Sequence, residues 1–332
     1  MNLMSRLALL VLVSASSLLA EQQVLLVLLK GANALAYYSM EGSLLGTVAL
    51  RDHPHEMVLS ADRKHVYITE NGAMRIENPG KGGNSVAFVD IAARKVVDRA
   101  STGKYRRPHG ISLDPVRNYL AVTAESPEHV LIFDAKGGKL LRHFNTEGPT
   151  SHMVSFGPGK TGAEYAFVSN AGAAYLSAVH LTTGVVKKIP TGDRPEGSAL
   201  SRDGKYLFVC NRDGNSITVV DLERQAAVSE IKTGKGPVRI AITPDDKTLV
   251  YAAMNEKAVE WADVETRRAT YRLRFEGQPV SLHLSADGKY AFASAEEMDL
   301  VYIVDVASKR LLRKFSTAKG AAPDPVMMVT IP

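Results

Sequence analysis

The chain has 332 residues, of which 45% are hydrophobic and 23% charged, and these proportions are ordinary for a soluble globular protein. Its net charge of +5 is mild for this length, so it permits nucleic acid or anionic lipid as a partner without requiring either. Cys210 is the only cysteine, which excludes an internal disulfide and any metal site built from paired cysteines.

Residues 1–20 have the pattern of a secretory signal peptide. Arg6 supplies a positive charge, Leu7 to Val13 form an apolar stretch, and a segment rich in small residues follows and ends in Ala20. The apolar stretch is too short to span a bilayer. The sequence therefore predicts export to the periplasm or the medium, with cleavage near Ala20 or after Ala15. The alternative is that this segment is a first strand or helix of the mature fold.

A proline that opens a strand recurs through the rest of the chain at intervals of 41 to 54 residues. The prolines are Pro54, Pro108, Pro149, Pro195, Pro237, Pro279 and Pro325. After Pro195, an apolar strand and an Asp-Gly turn precede three more strands, at residues 206–210, 217–221 and 227–231. Four short strands in every 40 to 50 residues, roughly, are typical of a β-propeller blade. The sequence therefore predicts one all-β domain over residues 21–332.

The two ends of the chain complement each other. The N-terminal region supplies three strands, near residues 24–30, 34–40 and 44–50, but no innermost strand. Val326–Ile331, after the last proline, has the pattern of an inner strand that lacks a blade of its own. We therefore expect a seven-bladed β-propeller of four-stranded antiparallel blades. The C-terminal strand joins the N-terminal blade and closes the ring, which removes exposed strand edges.

The segment from Pro195 to Asn211, continued by Ser216–Asp221 and Ile231–Pro237, resembles the YVTN-type β-propeller repeat, which is a WD40-like repeat. The resemblance recurs with drift in blades 2, 3, 6 and 7 and covers essentially the whole mature chain. It implies a propeller of the lactonase-like and cytochrome d1-like superfamily. It leaves the function open, because similar propellers include exported proteins of unknown role, surface-layer modules, lactonases and relatives of the haem d1 domain of nitrite reductase.

The loops that enter the inner strands of a propeller surround one mouth of its central channel, so the residue after each blade proline, or its equivalent in that blade, is a candidate for function. At this position four consecutive blades carry a predicted ligand-binding set, namely His55, His109, His152 and Glu196. Adding carboxylates at nearby strand ends gives a predicted divalent-metal set of His55, Glu56, Glu70, His109, Glu125 and His152. Such an acidic sector would also suit acid–base chemistry. The alternative is that these polar residues only line a solvent-filled channel mouth.

Two functions are compatible with this mouth. The first is an exported, monomeric binding module for a small ligand, a metal or a partner protein, and the second is a metal-dependent lactonase or lyase. Lysine and arginine are scattered rather than grouped, which disfavours nucleic acid. No Cys-x-x-Cys-His motif is present, so covalently bound haem is not expected. An insertion at residues 71–85 is predicted to be a flexible surface loop.

Overall fold

A computed structural model describes residues 22–157 and 164–331 of the chain. The predicted signal peptide, residues 1–20, lies outside the described residues. The described residues form seven separate sheets, and each sheet has four antiparallel strands. Six of these sheets follow the order of the chain, and the remaining one joins the last strand to the first three. The predicted seven-bladed β-propeller is therefore confirmed.

The first four blades contain the following strands. Blade 1 contains β1 (Gln22–Leu29), β2 (Ala34–Ser39) and β3 (Leu44–Ala49). Blade 2 contains β4 (Pro54–Leu59), β5 (His65–Glu70), β6 (Ser85–Asp90) and β7 (Lys95–Ser101). Blade 3 contains β8 (Arg106–Asp114), β9 (Tyr119–Ser126), β10 (Glu128–Asp134) and β11 (Leu140–Asn145). Blade 4 contains β12 (Ser151–Gly157), β13 (Tyr165–Asn170), β14 (Tyr175–His180) and β15 (Val186–Pro190).

The remaining blades and the closing strand follow. Blade 5 contains β16 (Pro195–Leu200), β17 (Tyr206–Asn211), β18 (Ser216–Asp221) and β19 (Ala226–Lys232). Blade 6 contains β20 (Pro237–Ile242), β21 (Thr248–Ala253), β22 (Ala258–Asp263) and β23 (Arg268–Arg274). Blade 7 contains β24 (Ser281–Leu284), β25 (Tyr290–Ala295), β26 (Leu300–Asp305) and β27 (Arg310–Ser316). The closing strand is β28 (Pro323–Ile331), and two 3-10 turns span Met254–Glu256 and Glu296–Met298.

The ring is closed as predicted. Strand β28 pairs antiparallel with β1, and Val24 lies opposite Val329 while Val27 lies opposite Val326. The innermost strands of neighbouring blades contact one another all the way round, including β28 with β4 of blade 2. Every blade is therefore held on both sides, and the seven inner strands surround a central channel.

The apolar core lies between the blades. Residues on alternate positions of each strand face a neighbouring blade, because side chains of a strand point to opposite faces of its sheet. Trp261 of blade 6 is fully buried in a cluster that includes Leu282 and Tyr302 of blade 7. Cys210 is likewise buried in the cluster between blades 5 and 6, and burial raises the pKa of its thiol. Among the described residues, none belongs to a helix long and apolar enough to cross a membrane.

Candidate functional site

The inner strands of blades 2 to 6 each begin with an irregularity that positions their first side chains. In β4 and β8 the ladder breaks directly after the proline, and the bulged residues are His55–Glu56 and His109–Gly110. The same break falls on His152 in β12 and on Glu196 in β16. Bulges bend a strand and re-aim its side chains, and they are common beside active sites. This repeated bulge explains why the residue after the proline faces the channel mouth in successive blades.

Blades 3 and 4 approach each other very closely at Gly110. A Cβ atom on Gly110 would lie 2.5 Å from the carbonyl oxygen of His152 and 2.7 Å from the Cα of Met153. The Thr123 hydroxyl joins the two strands, since it accepts the Gly110 N–H at 2.8 Å and donates to the His152 carbonyl oxygen at 2.5 Å. Only glycine leaves room for this contact. The close approach brings the neighbouring imidazoles together.

The three predicted histidines lie side by side at the channel mouth. The ring centroid of His109 is 3.9 Å from that of His152 and 4.8 Å from that of His55. All three side chains are buried. Burial lowers the pKa of His55 well below its ordinary value, and the charge of Lys30 lowers it further. Burial also lowers the pKa of His109 strongly, assisted by its two histidine neighbours, so this imidazole is neutral at pH 7.

Two carboxylates border the imidazoles. One oxygen of Glu125 lies 3.8 Å from Nδ1 of His152, and its other oxygen lies 2.9 Å from Nε of Arg107. Glu196 lies 3.9 Å from Nε2 of the same histidine. Burial raises the pKa of the Glu196 carboxyl, but His152 and the guanidinium of Arg212 outweigh this effect, so its pKa falls below the ordinary value. Both carboxylates therefore occupy predicted positions next to an imidazole.

The prediction for Glu70 is wrong. Its carboxylate accepts hydrogen bonds from the Ser85 hydroxyl at 2.6 Å and from Nε of Arg99 at 3.1 Å, both within blade 2. The reason is the strand register. Glu70 pairs with Pro54, whereas Glu125 stands opposite Arg107, one position before the equivalent proline. A shift of one residue along a strand turns a side chain to the other face of the sheet.

The predicted acidity of this sector is also wrong, because buried cations neutralise its carboxylates. Arg239, an inner-strand residue of blade 6, donates to Glu56 across the channel at 2.5 Å and lies 3.8 Å from Glu196. Glu56 is thus an ion-pair partner and is absent from the cluster of candidate metal ligands. Arg194 and Arg212 pair with Glu196 at 3.0 and 3.1 Å.

A second ion-pair cluster joins residues from near the two ends of the chain. Nζ of Lys30, at the end of β1, lies 2.5 Å from Glu296 and 3.4 Å from Asp324. Burial lowers the pKa of Lys30, but the two carboxylates outweigh it and leave the pKa above its ordinary value. Sequence reasoning missed Lys30 and Arg239. The available signal for Arg239 was a charged residue between Val238 and Ile240 in an otherwise apolar inner strand.

These residues surround a cavity of about 520 Å³ at the channel mouth. Its lining includes the three imidazoles together with Arg239 and Glu196. Part of the blade 2 insertion, Met74 to Asn78, lines the same cavity. The insertion, predicted only as a surface loop, is therefore part of the candidate site.

We call residues 71–84, which connect β5 to β6, the strap. Glu77 in the strap pairs with Arg194 of blade 5 at 3.2 Å, so the strap crosses the mouth from blade 2 to blade 5. Arg107 fixes its path, because its guanidinium donates to the carbonyl oxygens of Arg75 and Ile76, each at 2.9 Å. Since Arg107 also contacts Glu125, one guanidinium links the strap to the imidazole cluster.

Comparisons with known proteins agree with this fold. Residues 185–255 match a family model described as the cytochrome D1 heme domain. An uncharacterized protein YncE of Salmonella typhimurium is 28% identical over 144 residues, which cover 42% of this chain and 39% of that relative. The match thus spans less than half the length of the curated relative.

Two solved structures resemble almost the whole chain. A protein of unknown function from Desulfotomaculum acetoxidans has a TM-score of 0.76 and 13% identity, covering 92% of this chain and 98% of that one. The dihydro-heme d1 dehydrogenase NirN in complex with DHE has a TM-score of 0.62 and 15% identity, covering 92% of this chain and 74% of that one. At such identities the likeness shows the fold alone. Together the comparisons agree with the propeller fold and show a partial match to the cytochrome D1 heme domain model over residues 185–255.

Proposed function

We propose that this chain is an exported propeller that binds a small polar ligand in the cavity at its channel mouth. The observation that carries the proposal is the cavity itself, about 520 Å³ in volume and lined by buried imidazole, guanidinium and carboxylate groups. Ligand sites typically enclose roughly 300 to 1,000 Å³ and hold a few convergent polar groups. The YVTN-type resemblance fits this proposal, because it implies only the fold. The choice of ligand then depends on the residues at the channel mouth.

The strap favours a small molecule over a partner protein. Because Glu77 reaches Arg194 on blade 5, the strap lies across the opening through which a protein surface would have to reach the imidazoles. His55, His109 and His152 are each 5% exposed or less. A macromolecule docked on this face would contact the strap and the outer loops. A small molecule beside the strap would reach the buried groups.

The charges of the lining favour a neutral or zwitterionic ligand over a polyanion. Lys30, Arg194, Arg212 and Arg239 are each already paired with a carboxylate. An added anion would have to displace one of those carboxylates and leave it buried without a partner, which is costly. Neutral imidazoles and carboxylates offer hydrogen bonds instead. A molecule with hydroxyl, amide or amine groups matches these partners.

The haem named by the matching family model does not fit this donor set. Five carboxylates line the cavity, namely Glu77, Glu196, Glu296, Glu297 and Asp324. A haem carries carboxylates of its own, which these acids would repel. The guanidiniums that could offset that repulsion are already paired with protein carboxylates. We therefore expect the protein isolated from its host to show no haem absorption band, and such a band would contradict this reasoning.

Native mass spectrometry of the protein recovered from its own host tests the proposal. We expect a noncovalent adduct of a few hundred daltons. The variant Ile76→Trp, which enlarges a strap side chain that lines the cavity, should lose the adduct because it fills the site. The matched control is Val116→Trp, since Val116 is 74% exposed in a turn outside the cavity lining. No adduct in the unaltered protein, or an adduct that survives in Ile76→Trp, would contradict the proposal.

Catalysis by a metal-dependent lactonase or lyase is the second candidate. The observation that favours it is a group of His109, Glu125 and His152 whose ligand atoms lie within 4.8 Å of one another. Two imidazoles and a carboxylate with a remaining open position are the ligand set of many catalytic zinc sites. Turnover of lactones by the metal-loaded protein, and its loss in His152→Ala, would promote this candidate over simple binding.

Export is part of the proposal and rests on residues 1–20. Mass spectrometry of the protein from the host's extracytoplasmic fraction should show an N-terminus near residue 21, or near residue 16 if cleavage follows Ala15. A soluble cytoplasmic protein with an intact N-terminus would contradict export.

A further inference from the structure

We infer that His109, Glu125 and His152 bind one divalent transition-metal ion beside the mouth cavity, and that the ion presents an open coordination position to the cavity. This inference deepens the proposed function, since it would make the ligand one that offers an oxygen or nitrogen donor to the ion. It narrows the metal-ligand set expected from the sequence to three residues and assigns His55 and Glu56 other tasks.

The first support is distance. One potential ligand atom from each of the three side chains lies within 4.8 Å of the other two. Ligands placed 2.0–2.1 Å from a tetrahedral zinc ion are about 3.3 Å apart. The three groups therefore need to close in by roughly 1.5 Å. Small side-chain rotations supply such a movement without any change in the backbone.

The second support is that the same three side chains carry unsatisfied atoms. Within the described residues, Nδ1 of His109, Nδ1 of His152 and Oε1 of Glu125 are all buried and lack a hydrogen-bond partner. A buried polar atom without a partner costs stability, and few native proteins retain several of them in one place. Three such atoms in one cluster are what a site prepared for an ion would show.

The third support is that neighbouring groups hold the ligands in place from behind. The Thr69 hydroxyl donates to the His109 carbonyl oxygen at 2.8 Å, and Thr123 does the same for His152. Arg107 occupies one oxygen of Glu125 and leaves Oε1 to face the imidazoles. The two threonines fix the backbone that carries the imidazoles, and Arg107, as a partner of a ligating carboxylate, is the kind of outer group that contributes to metal affinity.

His55 is a neighbour of the ion rather than a ligand. Its Nδ1 lies 3.0 Å from the His53 carbonyl oxygen, and because a carbonyl only accepts, Nδ1 carries the proton. Its ring packs edge-on against His109 at 4.8 Å. It therefore fixes the position of the His109 ring. His55 also lines the cavity, where its remaining nitrogen is available to a bound molecule.

The ligand set selects the class of metal. Two nitrogens and one carboxylate oxygen suit zinc and its first-row neighbours, whereas calcium takes six to eight oxygens and magnesium a near-octahedral oxygen shell. His109 and His152 line the cavity, while Glu125 lies behind them. The open side of the ion therefore faces the cavity.

Metal titration of the full mature chain tests the inference. Protein stripped with a chelator is titrated with Zn²⁺ in competition with a chromophoric chelator, and Co²⁺ absorption reports the coordination. We expect one ion per chain, with an affinity reduced by about 100-fold or more in His152→Ala, since even supporting residues contribute roughly 10- to 100-fold. Glu125→Gln should weaken binding as well. Zn²⁺ should bind far more tightly than Ca²⁺ or Mg²⁺.

The matched control is His143→Ala, because His143 is an exposed histidine of β11 that contacts Tyr105 and His129. It should bind the ion like the unaltered chain. Should His152→Ala fail to fold, His152→Asn preserves more of the volume and serves in its place. Absence of saturable binding, unchanged affinity in both His152 variants, or a loss confined to His143→Ala would each overturn the inference.

The outcomes separate this inference from the proposed function. A native adduct that persists in metal-free protein, with no zinc binding, overturns the metal site and leaves the ligand cavity standing. Zinc binding that persists in Ile76→Trp, in a protein without any host-derived adduct, supports the metal site and contradicts the proposed function.

Discussion

Replacing Gly110 with alanine should push blades 3 and 4 apart at the channel mouth. The new Cβ would lie 2.5 and 2.7 Å from backbone atoms of His152 and Met153, almost 1 Å inside ordinary contact. Backbone atoms cannot move aside by changing rotamer, so the cost should be near the upper end of the range for overpacking, about 3 kcal/mol. With an unfolding entropy of about 2.1 cal/mol/K per residue over roughly 300 residues, this corresponds to a Tm lower by about 5 °C.

Calorimetry and chemical denaturation measure this loss, and the mature chain carrying Gly137→Ala is the control. Gly137 has ordinary backbone angles, and a Cβ there meets only a side-chain oxygen of Asp134 at 3.4 Å. The control should melt within about 1 °C of the unaltered protein, as expected for a surface change below about 0.5 kcal/mol. Gly110→Ala should also weaken zinc binding, because the imidazoles of His109 and His152 move apart. A Gly110→Ala protein that melts like the control would refute the reasoning.

Three further predictions concern other parts of the ring. Deleting residues 326–332 removes most of the inner partner of β1, including three buried aliphatic side chains worth about 2 kcal/mol each, and should lower Tm by about 10 °C. An unchanged Tm would contradict this view of the closure. Burial, with a smaller contribution from Arg239, lowers the pKa of His283 from 6.5 to about 4. Between these pH values the unfolded chain binds more protons than the folded one, so the free energy of unfolding should fall as the pH drops from about 6.5 to 4. For a fully buried imidazole the loss of unfolding free energy would be about 3 kcal/mol, and allowing for partial exposure it is about 2 kcal/mol. The variant His283→Gln should therefore depend less on pH in the acid range of a denaturation–pH profile. An unchanged slope would assign that pH dependence to other groups. Arg107→Ala should release the strap and speed tryptic cleavage after Arg75, as followed by mass spectrometry. Arg106→Ala is the control, and equal cleavage rates in the two variants would contradict the prediction.

The fold could be predicted because its determinants are local and repeated. Each blade needs a proline, four short apolar strands and tight turns, and all of these can be read within about 45 residues. The closure by Val326–Ile331 followed from one missing strand and one surplus strand. These features depend on hydrophobic pattern and turn chemistry, which a single sequence displays directly.

The site could be predicted only where it obeys the same repeat. His55, His109 and His152 were found because the inner strands of blades 2, 3 and 4 share a bulge at the same position near the strand start. The partners of those residues were missed because they come from elsewhere in the ring. Glu56 and Arg239 are 183 residues apart, and only the curvature of the propeller makes them neighbours.

Register explains the remaining error. Glu70 is the last residue of β5 and Glu125 the last but one of β9, and they differ by one position in their pairing with the inner strand. Because side chains alternate between the two faces of a sheet, a difference of one position places the two carboxylates on opposite faces. Strand ends are the least certain part of any assignment from sequence, so a carboxylate at a strand end could not be given a face.

The closing strand also fixes an order of events during synthesis. Lys30 and Asp324, which meet beside the β1–β28 pair, are 294 residues apart in the chain. At about 5 to 20 residues per second, β1 emerges from the ribosome roughly 15 to 60 seconds before its inner partner exists. Throughout that interval the apolar segment Val24–Leu29 has an unpaired edge, which is a hazard for aggregation. We therefore expect the newly made chain to depend on a holding chaperone that covers this first strand until the last one arrives.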